Sequence, residues 1–188
     1  MLHRLMHDFE GDAVIAADGE IGSLADAYFD DERWKLCYLV VDIGRWLPGR
    51  KVLVAPQAMV QDDESVMRLA LTRDEVRRSP GIDADPPVWA LLEQARAEGQ
   101  HYRSGREVAG YSIRAADGEI GHVADFIVDD ADWTITGVVV DTGKWLPGKR
   151  VVVPPQAVEA IDAQAQTVRV RLSRQEIERA PAPSAGEG

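Results

Sequence analysis

A chain of 188 residues with a formal net charge of −11, 45% hydrophobic and 28% charged side chains, has the make-up of a folded globular protein rather than a disordered one. So acidic a surface repels phosphate backbones, and no Lys/Arg cluster interleaved with aromatics offsets it, which argues against a nucleic-acid partner. Cys37 is the only cysteine, so an intrachain disulfide and a cysteine-built zinc site are excluded, and no apolar run approaches the roughly 18 residues of a membrane helix. Met1 to Asp8 carry no apolar signal segment, and a cytoplasmic protein is the expectation.

The first dozen residues are polar and mixed. His3 and His7 have the spacing of one helical face, but no glutamate stands between them in the H-E-x-x-H manner and no third ligand is in view. They read as a frayed terminus.

Ala13 to Ala16 reads as a strand, and Asp18-Gly19 as a hairpin turn, because a type I′ turn needs positive φ at its centre. The returning strand, Ile21 to Phe29, carries Gly22 where a side chain would crowd a neighbour, the mark of a bulge or sharp bend. After the polar turn Asp30-Asp31-Glu32-Arg33, a strand from Trp34 to Asp42 ends in Leu39-Val40-Val41, a run that predicts burial on both faces. Gly44-Arg45-Trp46-Leu47-Pro48-Gly49-Arg50 cannot continue that strand and forms a loop with a large apolar pair at its tip. Arg50-Lys51-Val52-Leu53-Val54 resumes the sheet, Pro56-Gln57-Ala58 turns the chain, and Val66 to Leu71 supplies a last strand. Thr72-Arg73-Asp74-Glu75 has capping-box spacing and opens a short helix that ends near Ser79-Pro80.

Pro80 to Pro87 is a break in composition. Asp85-Pro86 then starts a linker helix whose apolar stripe (Val88, Leu91, Leu92, Ala95) stops at Gly99.

From there the chain repeats itself. Ala16-Ala17-Asp18-Gly19-Glu20-Ile21-Gly22 returns ninety-nine positions later as Ala115-Ala116-Asp117-Gly118-Glu119-Ile120-Gly121, and about 25 of about 43 aligned pairs are identical. The last strand and helix, Val168 to Leu172 and Ser173-Arg174-Gln175-Glu176, align only if the offset grows by two, which places a small insertion in the preceding turn. The expected organisation is a first repeat at 1–80, a linker with a helix at 81–104, a second repeat at 105–180 and a disordered tail at 181–188.

The ordered set of an A-D-G-E-I-G opening, a V-V-D-x-G strand end, a W-L-P-G loop and a P-Q-A turn, met twice, resembles the PRC-barrel family, over roughly residues 5–80 and 105–180. That family includes the cytoplasmic domain of the photosynthetic reaction-centre H subunit and the C-terminal domain of a ribosome-maturation factor. The resemblance implies a mainly β chain: two tandem small antiparallel PRC-type β-barrels, each closed by a short helix and packed as an intrachain pseudo-dimer. It implies a protein-interaction or assembly module without catalytic residues or cofactor, and by resemblance alone a role at the cytoplasmic face of a photosynthetic membrane complex. The 188 residues hold no match to the H subunit's membrane helix or the maturation factor's N-terminal domain, and a stand-alone tandem protein is the expectation.

Trp46, Leu47 and Pro48, with their counterparts Trp145, Leu146 and Pro147, are the candidate partner-binding residues. A tryptophan and a leucine on a proline-stiffened loop lose little entropy on docking. The competing reading makes each tryptophan the lid of its own barrel. Asp42 and Asp141 are expected to pair with Arg45, Arg50, Lys144 or Lys149. Asp18/Asp117 and Asp30-Asp31/Asp129-Asp130 are acidic turns that could hold a hard cation, so a metal-ion or small-molecule site there or in a cleft between barrels is the alternative, although no EF-hand spacing is present. His122, matched by Ser23, and Cys37, matched by Thr136, read as strand side chains.

Overall fold

The computed structural model describes residues 3–9, 11–45, 47–60, 66–82, 101–144 and 147–183. The linker helix expected between Asp85 and Gly99, the residues Trp46, Trp145 and Leu146, and positions 184–188 lie outside the described residues. The chain is mainly β with a few short helices, and it divides into two compact units. The N-unit is Asp8–Ser104; the C-unit joins Met1–His7 to Gly105–Gly188.

In the N-unit, β2 (Ala13–Ala16), β3 (Gly19–Asp30), β4 (Lys35–Asp42) and β5 (Lys51–Val54) pair in turn as antiparallel neighbours. On the other side of β2 lies β7 (Met67–Leu69), which pairs with β6 (Met59–Val60). Two features differ from the expected closed antiparallel barrel. The β2–β7 ladder is parallel, and among the described residues no ladder joins β5 to β6, so hydrogen bonding leaves the sheet open. Pro56–Ala58, between these two strands, is a single 3₁₀ turn.

The twelve-residue β3 is where the sheet bends. Its register slips opposite Val14/Ile15 in β2 and again between Leu24 and Asp26 against β4, and each slip is a bulge that increases local twist. Gly22 sits at the first. A Cβ there would stand 2.0 Å from the Asp42 carbonyl oxygen, so only glycine lets β3 cross this close to β4. The core of the unit includes Ile21, Leu24, Phe29, Leu36 and Met67. Leu39, Val40 and Val41 are all buried, as a doubly covered strand end requires.

The C-unit repeats this path with β9 (Ser112–Ala115), β10 (Gly118–Asp129), β11 (Thr134–Asp141), β12 (Arg150–Val153), β13 (Val158–Asp162) and β14 (Thr167–Val170). The order is β13-β14-β9-β10-β11-β12, again with one parallel ladder, β9 with β14. Register confirms the inserted pair of residues. Val14 faces Met67 in the N-unit and its counterpart Ile113 faces Val168, so the offset has become a hundred and one by the last strand. Gly121 stands where Gly22 does, with φ +65 and a would-be Cβ 1.8 Å from the Asp141 carbonyl oxygen.

Trp34, expected to begin a strand, and its counterpart Trp133 instead end the hairpin turns before β4 and β11 in left-handed backbone (φ 54 and 63). Both indoles are buried, and Trp34 stacks on Phe29 at 5.7 Å. The backbone cost of about 1–2 kcal/mol is offset by burying a large aromatic side chain.

Each unit ends in a short helix, Arg73–Arg78 or Arg174–Glu178, that buries Val76 or Ile177 completely. Beyond each helix the chain runs along the outer edge of the sheet. Leu53 N–H donates to Pro80 O and Ile82 N–H to Lys51 O in the N-unit, and Val152 N–H donates to Pro181 O in the C-unit. Pro181, placed by sequence in a tail, is thus part of the fold.

Two strands were not anticipated. β1 (His3–Leu5) pairs with β10, and β8 (Tyr102–Ser104) pairs with β3, both antiparallel. The N-terminus is therefore an ordered strand rather than a frayed end, and its histidines do not share a helix face: His3 is in β1, and His7 in the one-turn helix Met6–Phe9.

Candidate functional site

A helix of five or six residues has no stability of its own, so its ends must be held from outside. At the start of Arg73–Arg78, Thr72 and Glu75 form the expected capping box, with Thr72 N–H donating to Glu75 (2.8 Å) and Glu75 N–H to Thr72 Oγ1 (3.3 Å). Asp18, from the A-D-G turn, adds a third contact by accepting the Arg73 N–H at 2.7 Å. The C-unit copies this: Ser173 and Glu176 make the box, and Asp117 accepts the Arg174 N–H at 2.8 Å. These amide hydrogen bonds hold the Asp18 and Asp117 carboxyls below their ordinary range, and amide donation from Thr72 and Ser173 does the same for Glu75 and Glu176. At the other helix end, Arg50 donates to Arg77 O at 2.9 Å and Lys149 donates to Glu178 O, cations meeting the negative pole of the helix.

The acidic turns thus have structural employment. Asp30 Oδ1 accepts the Glu32 and Arg33 amides (2.9 and 3.0 Å), and Asp129 Oδ1 accepts the Ala131 amide (2.9 Å). Asp31 pairs with Arg103 at 2.7 Å, both side chains about nine-tenths buried. Among the described residues no three His, Cys, Asp or Glu side chains gather as a metal-binding group.

The loops between β4 and β5 and between β11 and β12 are fixed at their base. Asp42 Oδ1 accepts the Gly44 amide (2.8 Å) and Asp141 Oδ1 the Gly143 amide (2.9 Å). Ile43 N–H donates to Arg50 O, and Leu47 N–H to Ile43 O. The ion pairs expected for Asp42 and Asp141 are replaced by these amide contacts. Arg45 pairs with Glu20 instead (2.7 Å), Arg50 and Lys149 go to the helices, and Asp141 lies 3.9 Å from Arg150. Of the candidate anchors, Leu47 is 39% exposed, and Pro48 and Pro147 are exposed.

Asp26 and Asp125 were missed as site residues. Each stands at a bulge, each accepts the N–H of the next residue at 2.7 Å, and each presents its second oxygen to an incoming segment. Ser104 Oγ donates to Asp26 Oδ2 at 2.5 Å. In the C-unit His7 Nδ1 lies 2.7 Å from Asp125 Oδ2, and the His7 amide donates to Oδ1 at 3.2 Å. The Ala-Asp step repeated at the same place in both long strands, Ala25-Asp26 and Ala124-Asp125, was the signal that could have found them.

His122 is exposed on β10, in register with Asp141 and Ser112. Cys37 is half-buried and donates weakly to Lys35 O, and burial, then the nearby Asp30 charge, pushes its thiol up, away from nucleophilic character. It borders an open depression of about 330 Å³ lined also by Arg33, Lys35, Tyr38 and Gln57.

Comparison with known proteins places a PRC-barrel domain at residues 101–177. A protein of Deinococcus radiodurans, described as uncharacterized, is 32% identical to this chain over 81 residues, which are 43% of this chain and 30% of that protein. The matched stretch thus spans less than a third of that relative's length. No helix among the described residues is long and apolar enough to cross a membrane.

Proposed function

We propose that the chain is a non-catalytic assembly module made of two PRC-type units, of which residues 101–177 are one and the matching half at about 5–80 the other, and that it docks a protein partner through its W-L-P-G loops. The observation that carries this reading is the PRC-barrel domain at 101–177. The geometry supports it in two ways. Asp18, Asp117, Asp30 and Asp31, carboxylates of the acidic turns, are engaged in backbone caps and an internal ion pair. Each loop is braced at its base by an aspartate–amide contact, and its proline is exposed, which suits a preorganised anchor.

The test is affinity capture from lysate of the source organism, soluble and membrane fractions kept apart, with a Trp46→Ala/Trp145→Ala variant as control. A partner retained by the native chain and lost by a variant of unchanged unfolding midpoint is the expected result. A variant that loses cooperative unfolding would make the tryptophans barrel lids, and one that keeps every partner would remove the loops as anchors.

A further inference from the structure

Each long strand, β3 and β10, has one edge fully taken by its antiparallel neighbour β4 or β11. The other edge is only partly taken. β9 pairs with β10 from Gly118 to His122, and β2 with β3 from Gly19 to Ser23. Past those points the backbone donors and acceptors of the long strand need another partner. In the C-unit it is β1, with His3, Arg4 and Leu5 opposite Asp129, Val128 and Ile127. In the N-unit it is β8, with Tyr102, Arg103 and Ser104 opposite Asp30, Phe29 and Tyr28.

Sequence order makes this pairing reciprocal. His3–Leu5 immediately precedes the half of the chain that forms the N-unit, yet it completes the C-unit. Tyr102–Ser104 immediately precedes β9 of the C-unit, yet it completes the N-unit. Both segments are therefore arms that leave their own half and finish the sheet of the other. The receiving edges accept different sequences in the same register, ninety-nine positions apart, through a backbone ladder and a bulge aspartate in both, with an Arg103–Asp31 pair and a Tyr38–Tyr102 contact added at β3. Nothing in that recognition depends on which molecule supplies the strand.

We propose that the arm at residues 3–7 is exchangeable, and that the β10 edge opposite Ile127–Asp129 takes the same arm from a second copy of this chain, giving a strand-swapped dimer. The ladder and the His7–Asp125 bond formed between copies are the same ones broken within each copy, so only the association entropy opposes the exchange, and concentration sets its extent. The inference is independent of the docking role of the loops.

The experiment refolds the full chain from denaturant at ~10 μM and at ~1 mM and measures the mass by light scattering after size exclusion. The dimer fraction is expected to rise by about tenfold or more between the two. A Cys37→Ser chain carrying Leu5→Cys and Ile127→Cys then locates the strand, since these positions face each other. Oxidation should join residues within one chain in the monomer and between two chains in the dimer. Monomer alone at both concentrations overturns the proposal, and so does a dimer whose disulfides stay within each chain. If the cysteine pair prevents folding, Arg4→Pro in the otherwise native chain decides: it breaks the middle of the three-residue ladder, so loss of the dimer upholds exchange and persistence of the dimer refutes it.

Discussion

The two receiving sites solve one backbone problem with different side chains. At β3, Asp26 takes a serine hydroxyl from the arm, and a buried Arg103–Asp31 pair and an edge-on Tyr38–Tyr102 contact flank it. At β10 the corresponding Asp125 takes both the ring and the amide of His7, two residues beyond the position that matches Ser104. Around the A-D-G turns, by contrast, the units are near copies: the same aspartate, the same capping box, the same crowded glycine. Where a backbone must pass within touching distance of another backbone, one residue type works. Where a carboxylate needs a donor, several do.

Substitution at the crowded glycines should have the largest effect. Gly121→Ala is expected to cost about 4 kcal/mol or more, because it combines a backbone clash with positive φ, and Gly22→Ala nearly as much through the clash alone. Denaturant unfolding checks this, and a cost near that of a surface substitution at either site would break the claimed equivalence. Next come the receiving aspartates. Asp125→Ala and Asp26→Ala should each cost about 2 kcal/mol, since each removes an acceptor shared by a strand amide and an incoming donor. Hydrogen exchange should show the faster opening at β1 for the first and at β8 for the second. Thr72→Ala and Ser173→Ala should each cost about 1 kcal/mol and by similar amounts, since the boxes are alike.

The smallest effect is in acid. Asp18, Asp117, Glu75 and Glu176 have folded-state pKa values below their unfolded ones. Their contribution is therefore complete above the unfolded values of about 4, and is lost as pH falls through the lower folded values. Asp18→Asn with Asp117→Asn should flatten the thermal midpoint between about pH 4 and pH 2, and leave the slope above pH 5 unchanged. An unaltered acid slope would remove these turns as helix caps.

Local chemistry was legible in advance. The Asp-Gly turns, the crowding at Gly22, the capping boxes and the two-residue insertion each follow from a few adjacent residues and stand in the structure. What escaped was long-range pairing. A three-residue strand such as His3–Leu5 is too short to show a period, and its mate begins more than a hundred residues away. The parallel ladders of β7 and β14 escaped for a related reason: they depend on which edge of β2 or β9 is left open, a property of the assembled sheet. The basic residues of the loops were assigned to the nearest aspartates, whereas Arg50 and Lys149 are drawn to helix ends that close over them only after folding. Of the candidate anchors, the exposure of Leu47, Pro48 and Pro147 is on view, and that of Trp46, Trp145 and Leu146 falls outside the described residues.

The segments that follow the two short helices act as a hem. An outer strand with its amides bare is a template on which further molecules can stack, and β5 and β12 are rich in valine, the composition that stacks most readily. Pro80 lends its carbonyl to Leu53 and Pro181 lends its carbonyl to Val152, while neither proline has an N–H to offer a newcomer. Each unit thereby covers its valine edge with a segment whose proline can close a ladder but not extend one. Cutting the chain just before Pro181 should therefore show itself first as turbidity on storage rather than as a lower melting temperature.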